Sequence, residues 1–587
     1  MSVSVSLEDK YTATRGSVYL TGSQALVRLP IMQRIRDQAA GLKTAGFVSG
    51  YRGSPLGIYD LALWQAMPLL ERHDIRFQPG VNEDLAATAV WGSQQTRLIG
   101  PSQYDGVFAM WYGKGPGVDR SGDALKHGSF AGAAALGGVL ALCGDDHAAR
   151  SSTIAHQSDH ALVHFGMPVF NPAHLQDYLD LGLAGLALSR YSGAWVGFKC
   201  ITDTVETSAR IDADPHRLAF RTPDDFEMPP EGLNIRLGVM PLVAEARQFE
   251  QRLEAAKAFV RANAIDRQIL GGRGARRIGI VTSGKATLDV LEALRLLGLD
   301  AQAAEAAGIA VYKLGMSWPI EPVGLRKFLH GCREVLVVEE KRGLIEEQLA
   351  HILFNLPRSE RPVLSGKRDP SGMPLVPQVG ELAPASVMQA IRGRLLSSDI
   401  DDHLRSRITP LIANVAVAEV TASAAGLMRS PSFCAGCPHN TSTNVPEGSL
   451  AMGGIGCHGL ATWLPDRRTI TLYHMGGEGA AWIGQAPFSE VGHIFQNLGD
   501  GTYFHSGLLA IRACVTANVN ITYKILLNGA IAMTGGQPIE GESFDGSVSA
   551  PHVVNQLHAE GVKKIALVSD DPARHKRADY PASVTFY

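Results

Sequence analysis

Two rhythms of apolar and polar residues run along this chain. Short apolar runs rich in β-branched residues end at glycine-bearing turns, and in the stretches between them apolar residues return every three or four positions. The first pattern is that of buried parallel strands, the second that of amphipathic helices. In RRIGIVTSGKATLDVLEALRLLGL, Ile278 to Thr282 reads as a strand, Ser283-Gly284 as a turn, and Leu288, Leu291, Leu294 and Leu297 as the apolar side of a helix. Val335 to Val338 reads as a further strand. Later, Ile494 to Gly501 (IFQNLGDG) reads as a strand closing on a Gly-Asp-Gly turn, with a helix opening at Thr502 and a return strand over Ile521 to Leu527. The alternation predicts an α/β fold of three consecutive parallel-sheet domains, over residues 1–220, 235–395 and 429–587. Arg221 to Asn234, with three prolines and an acidic cluster, is expected as a linker, and a helical connector is expected around Pro410 to Met428.

Composition sharpens this picture in a few places. At 587 residues there is room for three or four domains of roughly 150 residues each. A net charge of −3 offers too weak a field for a nucleic-acid or anionic-membrane binder. The 63 glycines exceed the usual share of about 7% and point to the tight turns of α/β proteins that hold phosphorylated cofactors. The longest uncharged stretch, Gly128 to Gly144, is broken by glycines and too short for a membrane span, and the first residues lack the pattern of a secretory signal. Seven cysteines make no disulfide scaffold, so the chain reads as cytoplasmic. It ends on Tyr587 without a polar tail or helix cap, which reads as one part of a larger polypeptide or as a subunit dependent on others.

The strongest chemical signal is Asp500 in its Gly-Asp-Gly turn, followed 28 positions later by Asn528. In a right-handed strand, helix, strand unit both carboxyl ends emerge on one edge of the sheet, so the two side chains can meet one ion. Their hard oxygens suit magnesium, which commonly shares itself between a carboxylate and a phosphate. The flanking glycines and the helix start would bring backbone amides to a diphosphate.

This arrangement resembles the thiamine-diphosphate signature. The resemblance makes Asp500, Asn528 and the carbonyl of Ala530 the magnesium ligands and places Gly499, Gly501, Thr502, Gly529, Ile531, Met533 and Thr534 around the cofactor. GDGTYFHSG, LLNGAIAMTGGQP, CAGCPHN and GIGCHG, with TGSQALVRL, GYRGSPLG, VNEDLAATAVWGSQ and GDDHAARSSTIAHQSD earlier in the chain, are similar to passages of the indolepyruvate:ferredoxin oxidoreductase family. That likeness implies a pyrimidine-side domain, a transketolase-C-like domain and a diphosphate-side domain, in this order. It implies oxidative decarboxylation of an aryl 2-oxoacid to an acyl-coenzyme A, with electrons passed to ferredoxin. A non-redox thiamine-dependent decarboxylase or lyase, and a cofactor-binding subunit inactive without partners, are the alternative readings.

Within this resemblance Glu83 matches the activating glutamate that meets the cofactor pyrimidine; its local sequence also suits an acid in the first turn of a helix. Ser54, in the GYRGSPLG turn, matches a substrate-contact position. Arg52 stands where the family more often has proline and could pair with a substrate carboxylate, as could Lys114 in WYGKGPG. His439, His458 and His505 are expected to be structural. Cys434, Cys437 and Cys457 resemble the ligands of a cofactor-proximal [4Fe–4S] cluster, but no cysteine follows Cys514, itself expected to pack as a small hydrophobe. A cluster, a zinc site with His439 or His458, and thiols shaping the cofactor pocket all remain open. No ferredoxin-like run of cysteines is present, so iron–sulfur centres are expected mainly on a gamma-type subunit or fused portion. The expected partners are therefore a 2-oxoacid, coenzyme A, ferredoxin, that gamma-type portion and a second copy of the chain, since thiamine sites form between pyrimidine-side and diphosphate-side domains.

Overall fold

The computed structural model describes residues 6–272, 276–411, 432–539 and 549–587. The chain divides into two compact units, Met1–Ala425 and Gly426–Tyr587. The expected connector around Pro410 to Met428 lies almost wholly outside the described residues.

Among the described residues the first unit holds two large sheets and a two-stranded ribbon. One comprises β2 (Thr44–Gly50), β3 (Ile75–Phe77), β4 (Gly106–Lys114), β5 (Val139–Asp145), β6 (Val169–Phe170), β7 (Val196–Ile201) and β12 (Met316–Trp318), in the order β12-β6-β7-β5-β4-β2-β3. All pair parallel except β12, which runs antiparallel to β6. The uncharged stretch ending at Gly144 is accounted for here: β5 is buried along its whole length, as a central strand covered on both faces must be. A separate antiparallel ribbon pairs β1 (Ser17–Thr21) with β8 (Ser208–Asp212).

The second sheet has the order β14-β13-β10-β11-β9, built from β9 (Arg267–Leu270), β10 (Arg276–Ser283), β11 (Ile309–Leu314), β13 (Cys332–Val338) and β14 (Val363–Ser365). Only β9 is antiparallel. Its alternation is clear, with Ile278, Ile280, Leu336 and Val338 in one apolar cluster and Val281, Val335 and Val337 in another. The strand expected at Ile278–Thr282 thus lies within β10, and the helix after it spans Lys285–Leu296. Its buried side matches the expected one only in part, with Leu294 and Leu297 buried as expected. Leu288 and Leu291 are exposed, while Ala286, Val290, Ala293 and Leu294 face the core, because positions three apart drift round a helix by about 60° per step and leave the stripe that alternating steps of four and three maintain.

The middle segment also gives β12 to the first sheet, pairing Met316 with Phe170 and Trp318 with Val169. Charged ties cross the same join: Lys313 to Asp177, Arg150 to Glu381, and the buried Lys341 ammonium donating to the His147 carbonyl at 2.6 Å.

The second unit is centred on a four-stranded, wholly parallel sheet: β15 (Ala451–Gly453), β16 (Thr469–Leu472), β17 (Ile494–Gly499) and β18 (Ile521–Leu526), in the order β16-β15-β17-β18. Leu498, Tyr503, Ile511, Val553 and Leu557 form one core, and Met452, Trp482 and Ile494 another. A parallel pair, β19 (Ala566–Leu567) with β20 (Thr585–Phe586), lies near the end. The fold class is therefore α/β with successive parallel sheets. Among the described residues no helix is long and apolar enough to cross a membrane.

Candidate functional site

In open parallel sheets, ligands bind outside the carboxyl ends of the strands where the chain's strand order reverses. The second unit reverses between β15 and β17, since the chain leaves β15 for β16 on one side and returns to β17 on the other. The loops at that point are Gly454–His458 (GIGCH) and the Gly-Asp-Gly turn. They touch: the Thr502 hydroxyl donates to the Ile455 carbonyl at 3.2 Å.

Gly499 is the extended N-cap of a helix that begins at Asp500, two residues before the expected start at Thr502. The Gly499↔Leu526 register sets the ends of β17 and β18 side by side. Asp500 is buried at 3% exposure, and its carboxylate draws the β18 loop in: Oδ2 accepts the N–H groups of Asn528 (2.7 Å) and Gly529 (2.8 Å), and Oδ1 accepts that of Gly501 (2.9 Å). Burial raises its pKa against the pull of these amides. Asn528 Oδ1 accepts the Ala530 N–H at 3.0 Å, and Gly529 takes a φ of 73°, the left-handed conformation that glycine adopts without strain. Ile531 packs close over Gly501, where an added Cβ would come within 3.2 Å of it. Thr534 donates to Gln537 Oε1 at 2.8 Å within the same loop, and Met533 is exposed. Magnesium fits this donor set, since it is made of hard oxygens and the amides occupy three of the roughly four lone-pair positions of the carboxylate.

One buried group of this edge escaped the sequence reading. Glu478, in the loop after β16, is fully buried with its Oε2 accepting the Gly476 N–H at 2.7 Å, and burial pushes its pKa up to about 7. A Cβ on Gly454 would come within 2.4 Å of it, so glycine is required there. The sequence signal was an acid enclosed by glycines, MGGEG, between an apolar run and a helix. His458 is also buried, its pKa lowered to about 4 by desolvation, and its ring lies 3.5 Å from where a Gly499 Cβ would stand. The His439 pKa is lowered by burial, and the charge of Asp500 acts against that shift. His505 is buried with Nδ1 2.6 Å from Ser506 Oγ. Cys434 is exposed and Cys437 and Cys457 are half-buried; burial raises the Cys457 pKa, and so do the neighbouring thiols of Cys437 and Cys434. Among the described residues, no group of three or more His, Cys, Asp or Glu side chains is arranged to hold a metal. Cys514 is buried in its helix, with its thiol 3.4 Å from the Gly479 carbonyl.

In the first unit the strand order reverses between β2 and β4, and GYRGSPLG and WYGKGPG are the loops that leave those two strands. Tyr51 N–H donates to the Tyr112 carbonyl at 3.1 Å, and Gly80 N–H to that of Gly50 at 2.8 Å. The second bond draws in the loop before Glu83. Glu83 opens the Glu83–Ser93 helix behind the capping Asn82, is 6% exposed, and holds Trp111 Nε1 on its carbonyl at 2.9 Å. Its side chain lies so close to Gly117 that a Cβ there would meet Oε1 at 2.7 Å. Lys114 packs against Gly53, donates to the Ser151 carbonyl at 2.7 Å and has its pKa lowered by burial. Ser54 is half-buried in the same turn. Arg52 is enclosed: neither its side chain nor that of Asp60, 3.8 Å away, reaches solvent, and Asp60 accepts the Tyr112 hydroxyl at 2.6 Å.

Two stretches of the chain match described families. Residues 267–418 match an indolepyruvate oxidoreductase domain, and residues 454–576 match the C-terminal TPP binding domain of thiamine pyrophosphate enzymes. The chain is 26% identical over 558 residues to the indolepyruvate oxidoreductase subunit IorA of Methanothermobacter marburgensis, covering 92% of this chain and 80% of that one. It is 25% identical to the protein of the same name from Methanothermobacter thermautotrophicus, over 96% and 84% of the two chains, and 26% identical to that of Pyrococcus abyssi, over 89% and 76%. Among solved structures, a 2-oxoglutarate:ferredoxin oxidoreductase from Magnetococcus marinus aligns with a TM-score of 0.46 at 15% identity, over 65% of this chain and 66% of that one. With two domain matches in chain order and relatives of one name aligned along most of its length, the chain is similar to indolepyruvate oxidoreductase subunits and matches a thiamine pyrophosphate binding domain.

Proposed function

We propose that the chain is the thiamine-diphosphate- and magnesium-binding portion of an oxidoreductase that decarboxylates an aryl 2-oxoacid, with coenzyme A accepting the acyl group and ferredoxin the electrons. The observation that carries this reading is the buried Asp500 carboxylate at a strand-order reversal, tied by backbone hydrogen bonds to Asn528 and Gly529. Asp500, Asn528 and the Ala530 carbonyl would hold magnesium, and Gly499, Gly501, Thr502, Gly529, Ile531, Met533 and Thr534 would line the diphosphate side. Bound thiamine diphosphate supplies the electron sink for loss of carbon dioxide.

The chain's own residues divide the remaining work. Glu83, buried at the start of its helix, exchanges a proton with the aminopyrimidine nitrogen. Ser54 and Lys114 contact the substrate, and Arg52, paired with Asp60, supports the turn from beneath. His458, kept neutral by burial at ordinary pH, shapes the turn without adding charge. Residues 1–220 serve as the pyrimidine-side domain, 235–395 as the transketolase-C-like domain and 429–587 as the diphosphate-side domain. One-electron carriers belong to a gamma-type partner in the cytoplasm.

The test is calorimetric titration of the chain with thiamine diphosphate, with and without magnesium, followed by acceptor reduction in the presence of indolepyruvate, coenzyme A and the partner subunit. Magnesium-dependent binding with 2-oxoacid-dependent acceptor reduction supports the reading. Aldehyde release without acceptor reduction would move the chain to the non-redox decarboxylases, and the absence of any binding refutes the proposal.

A further inference from the structure

His156 takes no part in the reaction proposed above, yet it packs against the turn that walls in Glu83. The short helix Gly115–Arg120 follows directly on β4 and has two sides, because residues three or four apart share a side and residues two apart lie on opposite ones. Gly117 and Arg120 make the side towards the Glu83–Ser93 helix: a Cβ on Gly117 would come within 2.6 Å of Glu83 Cγ, and Arg120 Nε stands 3.8 Å from Asp84. Gly115 and Asp119 make the other side. A Cβ on Gly115 would come within 2.5 Å of the His156 ring, and His156 Nε2 lies 3.3 Å from Asp119 Oδ2. The second ring nitrogen, Nδ1, is 2.9 Å from the Ile154 carbonyl. A carbonyl and a carboxylate only accept hydrogen bonds, so both ring nitrogens donate and the half-buried ring is an imidazolium.

We infer that His156 is a positioning residue for the thiamine-dependent reaction: tied to Ile154 and Asp119, it braces the Gly115–Arg120 helix against Glu83 and so sets the carboxyl group that meets the cofactor pyrimidine. The inference rests on the role given to Glu83 above. Of the charged groups around the ring, Asp119 faces it directly, and Asp145, at the end of β5, also favours the cation. Lys114, just before Gly115, donates to the Ser151 carbonyl, and Asp146 accepts the Ser151 N–H and the hydroxyls of Ser151 and Ser152. Arg342 comes near through its backbone, which the Gln157 side chain holds by both its groups. Glu83, Asp84 and Arg120 lie across the helix. The Asp119 carboxylate lifts the His156 pKa above the ordinary histidine value, with desolvation acting against it. The brace is therefore complete below a pH of about 6.5 and is lost as pH rises through the higher value of the folded protein.

The experiment follows exchange of the cofactor C2 hydrogen by proton NMR in deuterated buffer, with the full chain saturated with thiamine diphosphate and magnesium. His156→Gln keeps one donor and cannot ionise. At pH 6 it is expected to bind the cofactor within threefold of the parent but to exchange about fivefold more slowly, and by pH 9.5 the two rates should converge, since a neutral ring also keeps only one donor. His156→Phe, which fills the ring's place without donors, should be about tenfold slower at pH 6 and stay behind the parent throughout. A ratio of parent to His156→Gln below twofold at pH 6, or one equal at both ends of the range, overturns the proposal; the second result is that of a residue serving stability alone. Glu83→Gln is run beside them, and exchange at the parent rate there means that the Glu83 assignment fails and takes the role of His156 with it. The brace itself is judged separately. The His156 ring signal, identified by its loss in His156→Gln, should titrate above about 6.5 and lower in Asp119→Asn, and a midpoint at or below about 6.5 overturns the brace whatever the cofactor does.

Discussion

Replacing Asp500 by asparagine keeps the shape of the side chain and removes its charge. In the native turn the carboxylate accepts three backbone N–H bonds, from Asn528, Gly529 and Gly501. Hydrogen bonds to a charged acceptor contribute about 1.5–3 kcal/mol each, against about 0.5–1.5 kcal/mol for neutral ones. An amide in this position retains two of the three as neutral bonds. Its NH2 group then faces one backbone donor and leaves that donor without an acceptor. The apo chain is expected to lose about 2–4 kcal/mol, measured by urea unfolding followed on the second unit's tryptophans. The larger effect falls on ligand binding. Without its only carboxylate the proposed magnesium set keeps two neutral oxygens, and the magnesium-dependent affinity for thiamine diphosphate should fall at least a hundredfold, or about 2.7 kcal/mol. Calorimetry at a temperature where both proteins are folded separates the two losses. An affinity within threefold of the parent would remove Asp500 from the ion site whatever the stability result.

Glu83→Gln should bind the cofactor with little change but slow exchange of its C2 hydrogen by a hundredfold or more, followed by proton NMR in deuterated buffer; parent exchange rates would exclude the assigned role. Glu478 is held protonated by burial, with its pKa raised to about 7 from the usual carboxylate value, so its stabilising contribution is complete below about 4.5 and is lost as pH rises through about 7. Glu478→Gln should therefore outlast the parent in urea at pH 8.5 by up to about 3 kcal/mol more than at pH 4.5, and parallel stability profiles would refute this. Arg52→Met strands the buried Asp60 carboxylate and should cost about 3–5 kcal/mol of stability; a raised KM with unchanged unfolding would show that the guanidinium serves substrate instead.

Much of the fold was legible because it depends on local rhythm. β10, β13, β17 and β18 all lie where apolar runs mark them, and the nearness of the Asn528 backbone to the Asp500 carboxylate follows from the spacing of one strand, helix, strand unit. What the sequence concealed depends on distant partners. Nothing in Met316–Trp318 announces that these residues leave the sheet of their sequence neighbours and pair with β6 in the first one, since a three-residue strand carries no period of its own. The enclosure of Arg52 could not be foreseen from GYRGSPLG, because Asp60 and Tyr112 come from the following helix and from β4. The leucine spacing in Lys285–Leu296 misled because alanine and valine, small enough for close contact with the sheet, took the inner side.

The antiparallel strand β12 imposes an order on synthesis. Until the ribosome has delivered Trp318, the outer margin of β6 stands bare, with backbone groups available to any neighbouring chain. A polypeptide cut at the Arg221–Asn234 linker would carry that open margin permanently and should self-associate, whereas one extended through the second sheet should stay dispersed. For this protein, the smallest piece worth expressing by itself is set by the β12–β6 hydrogen bonds and not by the proline-rich boundary that the sequence displays.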